Sequence, residues 1–163
     1  MSHLMVRIGF GFDTHKLEEG IPFRIGGISV PHSKGAIGHS DADVLIHAIC
    51  DALLGAAGLR DIGFQFPDTS AEYKGIDSRL LLRKTCDMIR ERSFSVANID
   101  CTVVLQSPRI SNYIPEMTAT LAGVMEITPE QISVKAKTSE KLGFIGREEG
   151  VSAYAVCLLQ AVS

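Results

Sequence analysis

The chain has 163 residues, 45% of them hydrophobic, with 16 Lys and Arg against 19 Asp and Glu and a formal net charge of −3. That length and apolar content suit one globular domain over residues 1–163, and the acidic balance argues against general nucleic-acid binding. No run of about twenty apolar residues offers a membrane span, and the start lacks the basic and apolar regions of a signal peptide; four scattered cysteines in apolar settings (Cys50, Cys86, Cys101, Cys157) read as reduced core residues, so the expected location is the cytoplasm.

In chain order, Met1 to Leu4 precede Met5 and read as a leader added for expression, so His3 is given no role. Strands are predicted near 5–12 and 22–30, with Gly26-Gly27 marking a bulge or bend in the second. A helix over 41–57 is apolar nearly all round (Val44, Leu45, Ile46, Ile49, Leu53, Leu54), which marks it as buried, and Gly55 and Gly58 end it. Residues 61–69 read as an ordered loop. A second helix over 77–92, capped by Asp77, shows helical spacing of Leu81, Thr85, Met88 and Ile89. Its basic residues Arg79, Arg83, Lys84, Arg90 and Arg92 form a solvated face. A strand over 97–106 follows and breaks at Ser107-Pro108-Arg109. The next helix runs to Met125, with a cap at Ser111 or Asn112 and Pro115 in its first turn. A turn at 128–130, a strand over 132–138, a glycine-containing segment over 139–150 and a strand over 151–161 complete the chain. This mixed order predicts an α+β sandwich of ferredoxin-like type, a single mixed sheet with helices on one face. Apolar side chains on the other face, expected at Val103, Leu105, Val134, Val156 and Leu158, would then be exposed unless copies associate, and a cyclic oligomer would cover them.

Two groups of residues carry chemistry. Asp13 and His15, two apart on a strand, point the same way; with His47 they supply two imidazoles and a carboxylate, a set that leaves a tetrahedral zinc one open position, as in catalytic sites. Asp-x-His alone is a common chance pairing. His47, however, lies on the buried helix in a polar stripe with Asp43 and Asp51, spaced four apart, and buried polar groups need partners. A metal ion, or groups that orient its ligands, would provide them. The second group, Ala136 to Arg147, offers hydroxyls, a carboxylate, lysines, a guanidinium and glycines where a strand gives way to a loop. Those groups suit phosphates and a hard divalent cation, or equally an exposed turn.

Together the blocks Gly11 to His15, His39 to Asp43, His47-Ala48, Asp51 to Ala56, Asp61 to Gly63, Phe66 to Thr69 and Glu140 to Phe144 resemble the 2-C-methyl-D-erythritol 2,4-cyclodiphosphate synthase family. The likeness covers nearly the whole chain. It implies a homotrimer with active sites at subunit interfaces, and conversion of 4-diphosphocytidyl-2-C-methyl-D-erythritol 2-phosphate to the cyclodiphosphate and CMP. By the same resemblance, Asp13, His15 and His47 hold zinc, and Glu140 holds magnesium or manganese. His39, Asp61, Thr138 and Glu140 are the implied catalytic residues. Ser40, Ile62 and Gly63 would join His39 and Asp61 in holding the methylerythritol and its phosphate, Leu105, Ser107, Pro108, Arg109 and Ile110 would surround the cytidine, and Thr138 would touch the diphosphate. Asp68, Phe144 and Arg147 are further implied substrate contacts, and Phe12, Arg147 and Glu149 would line an axial cavity that takes an isoprenoid diphosphate. Lys137 and Ser139 stand where threonines are common in the family, and Arg109 where lysine is frequent; Arg109 keeps the charge and changes the geometry.

The implied nucleophile is the substrate's own 2-phosphate, largely dianionic at neutral pH, so the absence of a Ser-His-Asp arrangement or reactive cysteine is no obstacle. A zinc phosphohydrolase, with Asp61 activating water, and a non-catalytic trimeric binder of isoprenoid diphosphates are the alternative readings.

Overall fold

The computed structural model describes residues 5–162; residues 1–4, read above as an added leader, lie outside them. In chain order the elements are β1 (Val6–Glu19), β2 (Phe23–Ile25), β3 (Ile28–Val30), β4 (Lys34–Ala36), α1 (Val44–Ala56), α2 (Ile62–Gln65), α3 (Ser78–Glu91), β5 (Phe94–Val104), α4 (Ile114–Met125), β6 (Ile132–Lys137), α5 (Gly143–Gly146) and β7 (Gly150–Ala161). The main sheet has the order β4-β1-β7-β5-β6. Only β5 and β6 run parallel, joined through α4, as a crossover connection requires. The fold is α+β, with a mixed main sheet as expected. It has a second sheet too, because the stretch read as one bent strand over 22–30 is a hairpin: Gly26 and Gly27, at φ 62° and 79°, form a tight turn between β2 and β3.

Helix α1 begins where its sequence has the means to start it. The Asp43 carboxylate accepts the Ile46 N–H at 3.0 Å and also the Gly26 and Gly27 N–H groups at 2.9 and 2.7 Å, so one buried side chain both caps α1 and ties it to the hairpin. Every residue of α1 except His47, Asp51 and Gly55 is buried, each leucine or isoleucine contributing roughly 1.5–3 kcal/mol. The helix lies between the sheet and α3.

β1 is longer than expected. It pairs with β7 from Val6↔Gln160 to Lys16↔Gly150 and continues against β4, so Asp13 and His15 sit inside the strand and not at its end. The 97–106 strand starts earlier, at Phe94, and bulges between Val96 and Asn98. The segment 61–69 contains the single turn α2, and α4 is preceded by a 3-10 turn at Ser111–Tyr113 with no side-chain cap from Ser111 or Asn112. Asp77 does cap α3, accepting the Arg79 N–H at 2.9 Å.

The uncovered sheet face is also differently populated from the expectation. Val103, Leu105 and Val134 point into the core beneath the helices. The exposed face is formed by Ile8, Phe10 and Phe12 of β1 with Tyr154 and Val156 of β7, Ile8 being 73% and Phe10 63% accessible. Phe12 and Tyr154 pack with ring centroids 5.2 Å apart.

Candidate functional site

The alternation of β1 puts Gly9, Gly11, Asp13 and His15 on one face, toward α1. A Cβ at Gly9 or Gly11 would fall 1.8 Å from the carbonyl oxygen of Ala52 or Ala48, so these glycines let the helix lie directly on the strand. His47, the residue before Ala48, is thereby held over the next two side chains of the same face. Its Nδ1 is 3.0 Å from Asp13 Oδ2 and 3.1 Å from His15 Nε2, and the latter two atoms are 3.3 Å apart. These three residues are a cluster able to hold a metal ion. Zinc bonds of 2.0–2.1 Å in a tetrahedron place ligand atoms about 3.3 Å from each other, so the triangle has the right size. The remaining ring nitrogens are engaged as metal ligation needs: His15 Nδ1 lies 3.0 Å from the Thr14 carbonyl oxygen, leaving Nε2 to face the triangle, and His47 Nε2 lies 3.0 Å from both Ser40 Oγ and Ser78 Oγ.

Burial lowers the pKa of His15, with Asp13 only partly offsetting it, which favours the neutral imidazole that binds metal. His47 is more deeply buried, but the hydrogen bond and charge of Asp13 outweigh that and raise its pKa. One turn on, burial raises the pKa of Asp51; the Ile62 N–H, donated to it at 2.8 Å, opposes this, and the charges of Asp61 and Asp13 add to it.

A cavity of about 210 Å³ opens at the triad, and Asp13, His15, His39, Ser40, His47, Ile62, Gly63 and Asp68 all line it. Its apolar wall of Phe66, Tyr73, Ile76 and Leu81 was not anticipated. His39 Nε2 is buried with no hydrogen-bond partner, a donor or acceptor left for a ligand. Ile62 lines the cavity while its N–H is spent on Asp51. Asp61 caps α2, its Oδ1 taking the Phe64 N–H at 2.8 Å, next to the lining residues Ile62 and Gly63 but not itself on the lining.

Leu105, Pro108, Arg109, Ile110 and Thr138 line a separate cavity of about 230 Å³, joined by Lys137 and Gln106, whereas Ser107 does not line it. The two cavities share no lining residue. Glu140 is in the loop beside the second: its carboxylate accepts the Thr138 hydroxyl at 3.1 Å. Phe144 packs over Gly150, where a Cβ would fall 2.9 Å from its ring. Arg147 and Glu149 form an exposed pair at 3.0 Å, and Phe12 is on the open sheet face. Burial pushes the thiols of Cys86 and Cys101 up to about 12 and of Cys157 to about 11, so none is poised as a nucleophile. Two residues at the metal cluster escaped the sequence reading, Ser78 and Asp41. Ser78 has no signal beyond following the Asp77 cap, and Asp41 stands in the His39 to Asp43 block without a role of its own.

The YgbB family model matches residues 6–160. Among similar proteins, a 2-C-methyl-D-erythritol 2,4-cyclodiphosphate synthase of Bacteroides thetaiotaomicron is 56% identical over 157 residues, covering 96% of this chain and 99% of the relative. One of Porphyromonas gingivalis is 57% identical over 155 residues, covering 95% and 96%. Among solved structures, the bifunctional IspDF of Campylobacter jejuni superposes with a TM-score of 0.95 at 39% identity, over 99% of this chain and 44% of that one. Plasmodium falciparum IspF in complex with CDP gives 0.85 at 34% identity, over 99% of this chain and 100% of that one.

Proposed function

The chain belongs to the YgbB family, that of the 2-C-methyl-D-erythritol 2,4-cyclodiphosphate synthases, and is an enzyme; from that premise we propose that it cyclises 4-diphosphocytidyl-2-C-methyl-D-erythritol 2-phosphate, releasing CMP, in the non-mevalonate isoprenoid pathway of the cytoplasm. The observation that carries the reading is the triad: Asp13, His15 and His47 converge with zinc-ligand spacing on the wall of a cavity that also presents His39, Ser40, Gly63 and Asp68.

In the reaction an oxygen of the 2-phosphate forms a bond to the β-phosphorus. The bond from that phosphorus to the bridging oxygen breaks, and its electron pair departs with CMP. No proton has to move for the attack, so the protein's task is to fold the substrate back on itself and tolerate its charge. Zinc at the triad and magnesium or manganese at Glu140 supply, when bound, neutralisation of the diphosphate charge and polarisation of phosphorus. His39, with its unpartnered Nε2, and the Thr138 hydroxyl steady the phosphates. Ser40, Asp61, Gly63 and Asp68 position the methylerythritol, and the apolar wall of Phe66, Tyr73, Ile76 and Leu81 limits water. Leu105, Pro108, Arg109 and Ile110 enclose the cytidine, as fits the nucleotide-bound relative.

The two cavities have no common lining residue, so neither alone presents both the metal cluster and the cytidine groups. A homotrimer solves this by setting the metal cavity of one copy against the cytidine cavity of the next, and burying the Ile8, Phe10, Val156 face around the threefold axis supplies the association energy. Phe12, Arg147 and Glu149 would then border an axial cavity fit for an isoprenoid diphosphate. Phosphorus NMR of the protein with substrate and magnesium tests the reading. CMP with a cyclic diphosphate, abolished by chelation and restored by zinc, is expected; open-chain phosphates would make it a hydrolase, and unchanged substrate would overturn catalysis.

A further inference from the structure

We propose that Ser78 and Asp41 form a directional hydrogen-bond relay behind His47 that fixes the tautomer and orientation in which it binds metal. The proposal rests on the metal reading of the triad and adds two positioning residues to it.

Ser78 is fully buried in the first turn of α3, although a serine there needs no burial to serve a cap, since Asp77 already caps the helix. A serine hydroxyl has one proton and two lone pairs, and an ionised carboxylate only accepts. Asp41 takes both polar groups of Ser78: its Oδ1 accepts the hydroxyl in a short hydrogen bond, and its Oδ2 accepts the N–H at 3.1 Å. With its proton given to Asp41, the Ser78 oxygen can only accept from His47 Nε2, 3.0 Å away. His47 must then carry its proton on Nε2, and its Nδ1 lone pair faces Asp13 and His15. Ser40 is compatible with the same state: its Oγ accepts the Ala42 N–H at 3.2 Å and lies 3.0 Å from His47 Nε2, and its own proton can point to the second lone pair of Ser78 Oγ, 3.4 Å away.

Asp41 is itself held in place. Its N–H donates to the Ile76 carbonyl at 3.0 Å, and its Oδ1 accepts the Asp43 N–H at 3.3 Å. Its carboxylate lies at the N-terminus of α3, where the helix favours negative charge. The relay thus joins three segments, the 39–43 loop, α1 and α3, at the back of one ligand. Carboxylates behind ligating histidines make the imidazole a better donor to metal; here a serine transmits the effect.

Zinc affinity, measured by competition with a chromophoric chelator, is the test. Ser78→Ala and Asp41→Asn should each weaken zinc binding by about 10–100-fold, with the melting temperature of the metal-free protein recorded beside it. Asp41→Asn should be the more damaging, because an amide can donate to Ser78 and turn its hydroxyl proton toward His47 Nε2. Nitrogen-15 spectra of the zinc-loaded, unsubstituted protein need no variant: coordinated Nδ1 and a hydrogen-bonded proton on Nε2 of His47 are expected, and a proton on Nδ1 would overturn the relay. Both variants binding within about threefold of the parent would overturn it as well, whereas a parent that does not bind zinc at all would instead refute the metal reading.

Discussion

Along the seam between β1 and α1, glycines admit the helix backbone, and each ring nitrogen of His15 and His47 has a partner within 3.1 Å; in the segment from Thr138 to Glu149, side chains are displayed on exposed backbone with few outside partners. Glu140, Lys141 and Glu148 there adopt left-handed conformations, at φ 54°, 63° and 57°, which side-chain-bearing residues seldom take. Thr138 and Glu140 bond each other, and Arg147 pairs only with its near neighbour Glu149. The contrast teaches that the metal cluster is organised inside one chain, whereas the diphosphate and cytidine groups, on the proposed function, depend on ligand and an adjoining copy for their completion.

The largest expected effect is at the organised region. His47→Ala should abolish zinc binding and reduce turnover by about a thousandfold or more, read by metal content and CMP release; a zinc-free variant with full activity would break the comparison at its root. Phe10→Glu tests the other half. It should dissociate the oligomer and lower activity about a hundredfold by separating the half-sites, yet leave zinc affinity intact; loss of zinc on dissociation, followed by ultracentrifugation and chelator titration, would show that the metal site is shared. Glu140→Gln should lower turnover by about 10- to 100-fold and raise the magnesium requirement without changing zinc content.

Gly11→Ala should cost about 1–3 kcal/mol, because its Cβ meets the Ala48 carbonyl and forces α1 from β1, and zinc affinity should fall with it in the same preparation. The mildest effect is of pH. Because Asp13 raises the pKa of His47 against its burial, protons compete for Nδ1 from above the ordinary histidine range, near 6.5. Bound zinc should therefore be full at pH 8 and be released between about pH 7 and 5; occupancy constant to pH 4 would contradict the ligand assignment.

What the sequence made legible follows from how local each signal is. The period of two joined Asp13 to His15, and the apolar helix with a polar stripe singled out His47, since both patterns lie within one element. The extent of β1 past Phe12 was hidden by Thr14, Lys16 and Glu18, polar residues that end an apolar run without ending a strand. Alternation shows which residues of the expected 97–106 strand share a face but not which face the helices cover, so Val103 and Leu105 were assigned to the open side while Phe10 was not. The relay was illegible because Asp41 and Ser78 stand 37 residues apart and meet only when α3 packs on α1.

The most direct measurement is diffraction at the zinc edge from crystals grown with zinc and CDP. One anomalous peak within about 2.0–2.2 Å of Asp13 Oδ2, His15 Nε2 and His47 Nδ1 is predicted, with the cytidine between Leu105 and Ile110 of an adjoining copy and its diphosphate reaching toward the metal. Zinc at other ligands, or a nucleotide bound wholly within one chain, would contradict the account.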